Sequence, residues 1–128
     1  MRLFLVRHAH SAPGDPDDLR PLTQRGREQA RELGERLAAA RPDTVVSSPL
    51  LRARETAAVI AKAAGAELRV DERLAPGASV DRLLETVADA GATVVAVGHQ
   101  PDCSEIASEL GAGTVDFPPA GAVEIELR

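Results

Sequence analysis

Four side chains suited to phosphate chemistry follow short apolar runs of this sequence. They are Arg7, His8, Arg52 and His99. The apolar runs that precede them are Leu3 to Val6, Thr44 to Ser47 and Val94 to Val97. If these runs are parallel strands of one sheet, all four side chains emerge at the same edge, where open α/β sheets bind their ligands.

The chemistry of these four groups points to a transferable phosphoryl group. A neutral imidazole is nucleophilic near neutral pH, so His8 can form a covalent intermediate if its other ring nitrogen is held in place. Charge in phosphoryl transfer spreads over three oxygens, which the forked donors of Arg7 and Arg52 can contact. His99 can donate to the same oxygens.

The elements that must position these groups alternate between strand and helix along the whole chain. Predicted helices run from a cap at Thr23 to about Ala40, from Pro49 to Ala64, from a cap at Ser79 to Ala90, and from Pro101 to Leu110. Two further strands are predicted, Glu67 to Val70 and an alternating, antiparallel edge strand from Ala122 to Leu127. The fold class is therefore α/β, a three-layer sandwich with a mostly parallel central sheet and helices on both faces.

The segment Ala12 to Pro21 contains three prolines, one glycine and three aspartates, and it reads as an exposed loop. We call it the rim loop, because its place after His8 predicts that it borders the pocket.

Length and composition restrict the possible functions. With 128 residues, we expect one domain, 1–128, without a cap domain over the site. The net charge of −5 and the near absence of aromatic residues argue against nucleic-acid binding. No apolar run approaches a membrane span or a signal-peptide core, and the single cysteine, Cys103, allows no internal disulfide. We therefore expect a cytoplasmic protein that binds no membrane.

Four segments of the chain resemble the histidine phosphatase superfamily, which has a phosphoglycerate mutase-like fold. They are LFLVRHAHS from Leu3, LTQRGREQA from Leu22, SSPLLRARETA from Ser47 and VVAVGHQP from Val94. The resemblance implies that His8 is the nucleophile that becomes phosphorylated. It also implies that Arg7, Arg52 and His99 hold the phosphate and that no metal or other cofactor is needed.

Other polar residues near these segments have weaker claims to a role. Ser11 and Thr23 can donate to a phosphate oxygen, although Thr23 is better placed as a helix cap. His10 can point to the same side as His8 or lie in solvent. A zinc site on His8 and His10 lacks acidic or thiolate partners at suitable spacing.

The sequence departs from the superfamily pattern in its leaving-group acid. Many members resemble one another in placing a carboxylic acid after the third strand or directly after the second histidine. Here those places hold Ala75 with Pro76, and Gln100, and the nearest alternative is Glu72. An alkoxide leaving group needs a proton, whereas an imidazole can leave already protonated.

The missing acid and the short chain favour a resemblance to the small SixA-type phosphohistidine phosphatases. The expected reaction is hydrolysis of phosphohistidine on a signalling or phosphotransfer protein, with inorganic phosphate as product. An alternative is a broad-specificity phosphatase for small phosphomonoesters, with Glu72 or an aspartate of the rim loop as the acid. A further alternative is a phosphate-binding module that hydrolyses nothing, although binding alone would not need His8.

Overall fold

The computed structural model describes all residues from Met1 to Arg128 and contains one five-stranded sheet between two layers of helices. The strands are β1 (Arg2–Arg7), β2 (Thr44–Ser47), β3 (Glu67–Val70), β4 (Thr93–Gly98) and β5 (Ala122–Glu126). The α-helices are α1 (Gln24–Ala38), α2 (Leu51–Ala64), α3 (Val80–Val87) and α4 (Asp102–Glu109), and short 3-10 turns cover Asp17–Leu19 and Glu72–Leu74.

The sheet has the strand order β3-β2-β4-β1-β5. The first four strands in the chain are parallel, and β5 pairs with β1 in the antiparallel direction. The predicted mostly parallel sheet with an antiparallel edge strand is therefore confirmed.

Alternation along the strands builds a separate core on each face of the sheet. On β1, Phe4 and Val6 face α1 and α2, where they pack in a cluster with Leu33 and Ile60. Leu3 and Leu5 face the opposite layer. That layer is made by α3 and α4, and its cluster includes Leu83, Val87, Ile106 and Phe117. The three-layer architecture follows from this two-sided burial.

All four helices form, and each is shorter than predicted: α1 and α3 begin after their predicted caps, whereas α2 begins at Leu51 and α4 at Asp102, just after the prolines predicted to open them. The Thr23 hydroxyl accepts a hydrogen bond from the Gly26 backbone N–H, which confirms the predicted cap of α1. The Ser79 hydroxyl caps α3 in the same way. However, α1 ends at Ala38, α3 at Val87 and α4 at Glu109, because the last predicted residues form turns.

Two observations describe the chain as a whole. No helix is both long and apolar enough to cross a membrane. No group of three or more His, Cys, Asp or Glu side chains could hold a metal ion.

The segment after β1 packs closely against the first turn of α1. The backbone N–H of His10 donates to Gln29 Oε1 at 2.9 Å, and the backbone N–H of Thr23 donates to the His10 carbonyl at 3.1 Å. A Cβ atom added to Gly26 would lie 2.0 Å from that carbonyl oxygen. Only glycine allows this approach of helix to backbone.

We therefore expect Gly26→Ala to destabilise the protein, although alanine normally favours a helix interior. The clash forces the backbone apart and should lower the free energy of unfolding by about 1–3 kcal/mol. Denaturant unfolding followed by far-ultraviolet circular dichroism measures this change. The control is Glu28→Ala on the exposed face of α1, which should change stability by less than about 0.5 kcal/mol. Equal stability of Gly26→Ala and wild type would contradict the close approach.

Candidate active site

A cleft of about 420 Å³ opens at the carboxyl edge of the parallel strands, and polar residues form most of its lining. Its lining residues are Arg7, His8, His10, Ser11, Asp17, Arg20, Arg52, Pro76, His99, Gln100 and Pro119. All four residues singled out by their position after apolar runs are among them. The structure therefore brings the four groups to one cleft.

Strand register brings the two histidines side by side. Arg7 at the end of β1 pairs with Gly98 at the end of β4, and the next backbone N–H, that of His8, donates to the Gly98 carbonyl at 3.0 Å. The imidazole rings of His8 and His99 lie with their centroids 5.3 Å apart. Both side chains are buried.

The His8 ring is oriented by its own neighbour in the chain. Its Nδ1 donates to the carbonyl oxygen of Ala9 at 2.8 Å, which places the ring proton on Nδ1. The other nitrogen, Nε2, then carries a free lone pair. Burial lowers the pKa of His8 from 6.5 to about 4, and the nearby guanidiniums of Arg52 and Arg7 add to the shift. His8 is therefore a neutral imidazole at pH 7.

His99 is fixed by a serine that precedes α2. The Ser48 hydroxyl lies 2.6 Å from His99 Nε2 and also accepts the backbone N–H of Leu50 at 3.2 Å. His99 Nε2 is the only acceptor within reach of the hydroxyl hydrogen, so the hydroxyl donates to it, and the ring proton lies on Nδ1. Burial and, to a smaller degree, His8 lower the pKa of His99 to about 3.

The two arginines of the cleft are held by different means. Arg7 Nη1 donates to the carbonyl of Phe117 at 2.9 Å. Arg52 lies in the first turn of α2 and is only 6% exposed. Its Nη1 and Nη2 donate to the backbone carbonyl and the carboxylate of Asp17, at 2.8 and 3.2 Å.

Three buried nitrogens around the cleft have neither a hydrogen bond nor an ion-pair partner. They are Arg7 Nε, Arg52 Nε and His99 Nδ1, whereas Arg20 Nε lies 3.1 Å from the Asp17 carboxylate. Buried donors are normally satisfied, and leaving one unsatisfied costs stability. Three such donors on three separate elements point to an anion as the missing partner.

The other predicted candidates separate into residues inside and outside the cleft. Ser11 and the exposed His10 line it, and His10 Nδ1 lies 2.7 Å from the Thr23 hydroxyl. Thr23 itself caps α1 and is not part of the lining. Glu72 is exposed in the turn after β3 and does not line the cleft either.

Sequence reasoning missed Ser48 and could not single out Asp17 from the rim-loop aspartates that it offered as possible acids. Ser48 lies in the quoted segment SSPLL, so its position after β2 could have indicated it. Asp17 carries no local signal, because it is one of three aspartates in the rim loop and only the fold selects it. Its carboxylate lies 3.2 Å from Arg52 Nη2 and 3.1 Å from Arg20 Nε. Hydrogen bonding to Arg52 lowers the pKa of Asp17.

Cys103, the single cysteine, is buried beneath the sheet edge and takes no part in this cleft. Burial raises its pKa to about 12, so the thiol stays protonated.

Comparisons with known proteins agree with this geometry. An uncharacterized protein of Picosynechococcus sp. is 36% identical over 123 residues, which is 88% of this chain and 74% of that protein. A probable phosphoglycerate mutase of Citrobacter koseri is 37% identical over 81 residues, or 58% of this chain. This match spans only 37% of the mutase.

A solved structure of the protein histidine phosphatase SixA, complexed with tungstate, superimposes on this chain with a TM-score of 0.87. The two are 25% identical, and the superposition covers 99% of this chain and 88% of that one. A family model of the histidine phosphatase superfamily (branch 1) matches residues 3–76, more than half of the chain and the part that carries Arg7, His8 and Arg52. The chain is therefore a member of the histidine phosphatase superfamily, with the phosphoglycerate mutase-like fold.

Proposed function

We propose that this phosphatase works through a phosphohistidine intermediate on His8 and that its substrate is phosphohistidine on a signalling or phosphotransfer protein. The observation that carries the proposal is the set of three unpartnered buried donors around a neutral His8 whose Nε2 is free.

The first half of the reaction transfers the phosphoryl group to the enzyme. The lone pair of His8 Nε2 attacks phosphorus, the bond from phosphorus to the substrate nitrogen breaks, and that nitrogen takes the electron pair. The guanidiniums of Arg7 and Arg52 neutralise the charge on the phosphoryl oxygens, and His99 donates a hydrogen bond to one of them. Water then attacks the phosphorylated His8, releasing inorganic phosphate and restoring the imidazole. No step of this scheme uses a cofactor.

Positioning of the nucleophile supports this role for His8. Its backbone is held on both sides, by the Gly98 carbonyl and by the Ala120 N–H, which donates to the His8 carbonyl at 3.1 Å. The ring is held by Ala9. A nucleophile fixed in this way loses little further freedom in the transition state.

The acidic residues of the cleft favour phosphohistidine rather than a phosphomonoester as the substrate. Asp17 is the only acidic residue that lines it, and its pairing with Arg52 keeps it ionised. An ionised carboxylate cannot protonate an alkoxide leaving group. An imidazole whose distal nitrogen carries a proton leaves as a neutral molecule and does not need that acid.

The overall form of the molecule also supports a protein substrate. The chain superimposes almost end to end on a protein histidine phosphatase. We propose that residues 1–128 form one domain whose cleft is open to a side chain presented by another protein.

A second candidate is a phosphatase for small phosphomonoesters. The observation in its favour is that Asp17 does lie in the cleft, so a bound substrate that released it from Arg52 could restore its acidity. The partial match to probable phosphoglycerate mutases is also compatible with a small substrate.

A paired assay tests the substrate. We expect the wild type to remove phosphate from a phosphohistidine-bearing protein far faster than from an alkyl phosphomonoester such as glycerol 2-phosphate, whose alkoxide leaving group needs an acid. His8→Ala should abolish turnover of the phosphohistidine-bearing protein, because the intermediate cannot form, and acid-labile radiolabel should be trapped on the wild type alone. Faster hydrolysis of the ester would favour the second candidate. Retained turnover or trapped label in His8→Ala would exclude His8 as the nucleophile.

Substitution of Ser48 tests the orientation of His99. Ser48→Ala should lower kcat by about tenfold to a hundredfold, because His99 loses the hydroxyl that directs its Nδ1 proton toward the phosphate. Ser47→Ala is the matched control, since its buried hydroxyl bonds only to the Ser48 carbonyl at 2.8 Å. Steady-state kinetics on the phosphohistidine protein measure both variants. If Ser48→Ala and Ser47→Ala have the same kcat, the Ser48 hydroxyl does not orient His99.

The two lowered histidine pKa values predict how stability depends on pH. Near pH 5, both imidazoles are neutral in the folded protein and protonated in the unfolded chain, where their pKa is about 6.5. Unfolding therefore takes up about two protons from these groups, so stability is lost as pH falls from about 7 toward 4. His8→Asn and His99→Asn should each reduce this uptake by about one proton, as measured from the pH dependence of denaturant unfolding. Proton uptake equal to that of the wild type would contradict the lowered pKa values.

A further inference from the structure

The two terminal nitrogens of the Arg52 guanidinium have a partner within the protein. Both donate to one residue, Asp17, through the backbone carbonyl at 2.8 Å and the carboxylate at 3.2 Å. The same carboxylate forms an ion pair with Arg20 at 3.1 Å. A carboxylate thus sits between two guanidiniums of the cleft, as a bound anion would.

The position of Asp17 makes this contact reversible. Its side chain is 68% exposed, whereas that of Arg52 is 8% exposed. Withdrawal of Asp17 from Arg52 therefore moves an exposed carboxylate into water, while the buried guanidinium must find another anion. A dianionic phosphoryl group in the cleft supplies that anion.

The rim loop is built so that it can release Asp17. The two ends of the loop are joined: the Ala12 N–H donates to the Pro21 carbonyl at 2.8 Å, and Ser11 and Leu22 form an antiparallel bridge. Arg52 is the only residue outside the rim loop that forms a hydrogen bond with residues 13–20. Loss of that contact frees residues 13–20, the tip of the loop, and leaves its two ends joined.

We propose that Asp17 is an internal competitor for the phosphate-binding arginine, so that the phosphoryl group binds by displacing the tip of the rim loop from Arg52. This inference rests on the proposed phosphate site. The competition weakens binding of free inorganic phosphate and speeds release of the product. A phosphoryl group delivered by a docked protein overcomes it, because docking raises the local concentration of that group.

Binding of inorganic phosphate to purified variants tests the competition. Asp17→Asn should bind phosphate about fivefold more tightly than the wild type in a calorimetric titration, because the negative charge that competes with phosphate for Arg52 is removed. Asp18→Asn is the matched control, since it removes the same charge from the neighbouring residue, which is exposed and lies outside the cleft lining. It should change the affinity less than twofold. Asp17→Ala, which removes the whole carboxylate group, should behave like Asp17→Asn.

The outcomes separate this inference from the proposed function. If Asp17→Asn binds phosphate no more tightly than Asp18→Asn, Asp17 is not a competitor, and the phosphate site stands. Weaker binding would show that Asp17 holds Arg52 in its productive position, which also overturns the inference. If neither the wild type nor any variant binds phosphate, the proposed site itself fails.

A second measurement reports on the displacement itself. The chain contains no Trp or Tyr, so Leu19→Trp places a single tryptophan in the rim loop beside Asp17, at a residue that is 56% exposed. Phosphate should change its fluorescence in the Leu19→Trp protein and change it less when Asp17→Asn is added, because the ion pair that holds the loop against Arg52 is then absent and only the contact through the backbone carbonyl remains. Equal changes in both proteins would overturn the displacement.

Discussion

The register of β4 against its two parallel neighbours is the constraint on which the site depends. Arg7 pairs with Gly98 on one side, and Ser47 pairs with Val97 on the other. The backbone hydrogen bonds continue one residue past these pairs, to the N–H groups of His8 and Ser48. A slip of one residue in either pairing would turn a cleft side chain to the opposite face of the sheet. The two buried cores oppose such a slip, because each strand fills both of them.

The same arrangement concentrates positive charge and unpaired donors where little solvent reaches. Arg52 is nearly buried, and the rings of His8 and His99 are packed against each other. A site of this kind binds an anion strongly, because Coulomb attraction is weakly screened there. It also weakens the folded state without an anion. Asp17 offsets part of that cost by pairing with Arg52, and for the same reason it stands in the way of the ligand.

Burial also decides the protonation state on which the chemistry depends. Both histidines have lowered pKa values mainly because burial disfavours the charged ring. For His8 this preserves the lone pair of a nucleophile. The neutral ring of His99 has a single N–H, and the contact with Ser48 decides which of the two nitrogens carries it. Stability at low pH is the cost of keeping both rings neutral.

Most of the fold and the four central residues could be predicted from the sequence alone. The apolar runs before Arg7, His8 and His99 mark parallel strands, and parallel strands bring their carboxyl ends to one edge whatever the details of packing. Arg52 follows from Pro49, which marks the start of a helix at that edge. Only the tertiary structure decided which residues outside these motifs reach the cleft. It selected Asp17 from among three aspartates of the rim loop, brought Ser48 to His99 and left Glu72 exposed outside the cleft. Strand periodicity is a local property of the chain, whereas the path of a loop and the partner of a buried ring depend on elements that lie far apart in sequence.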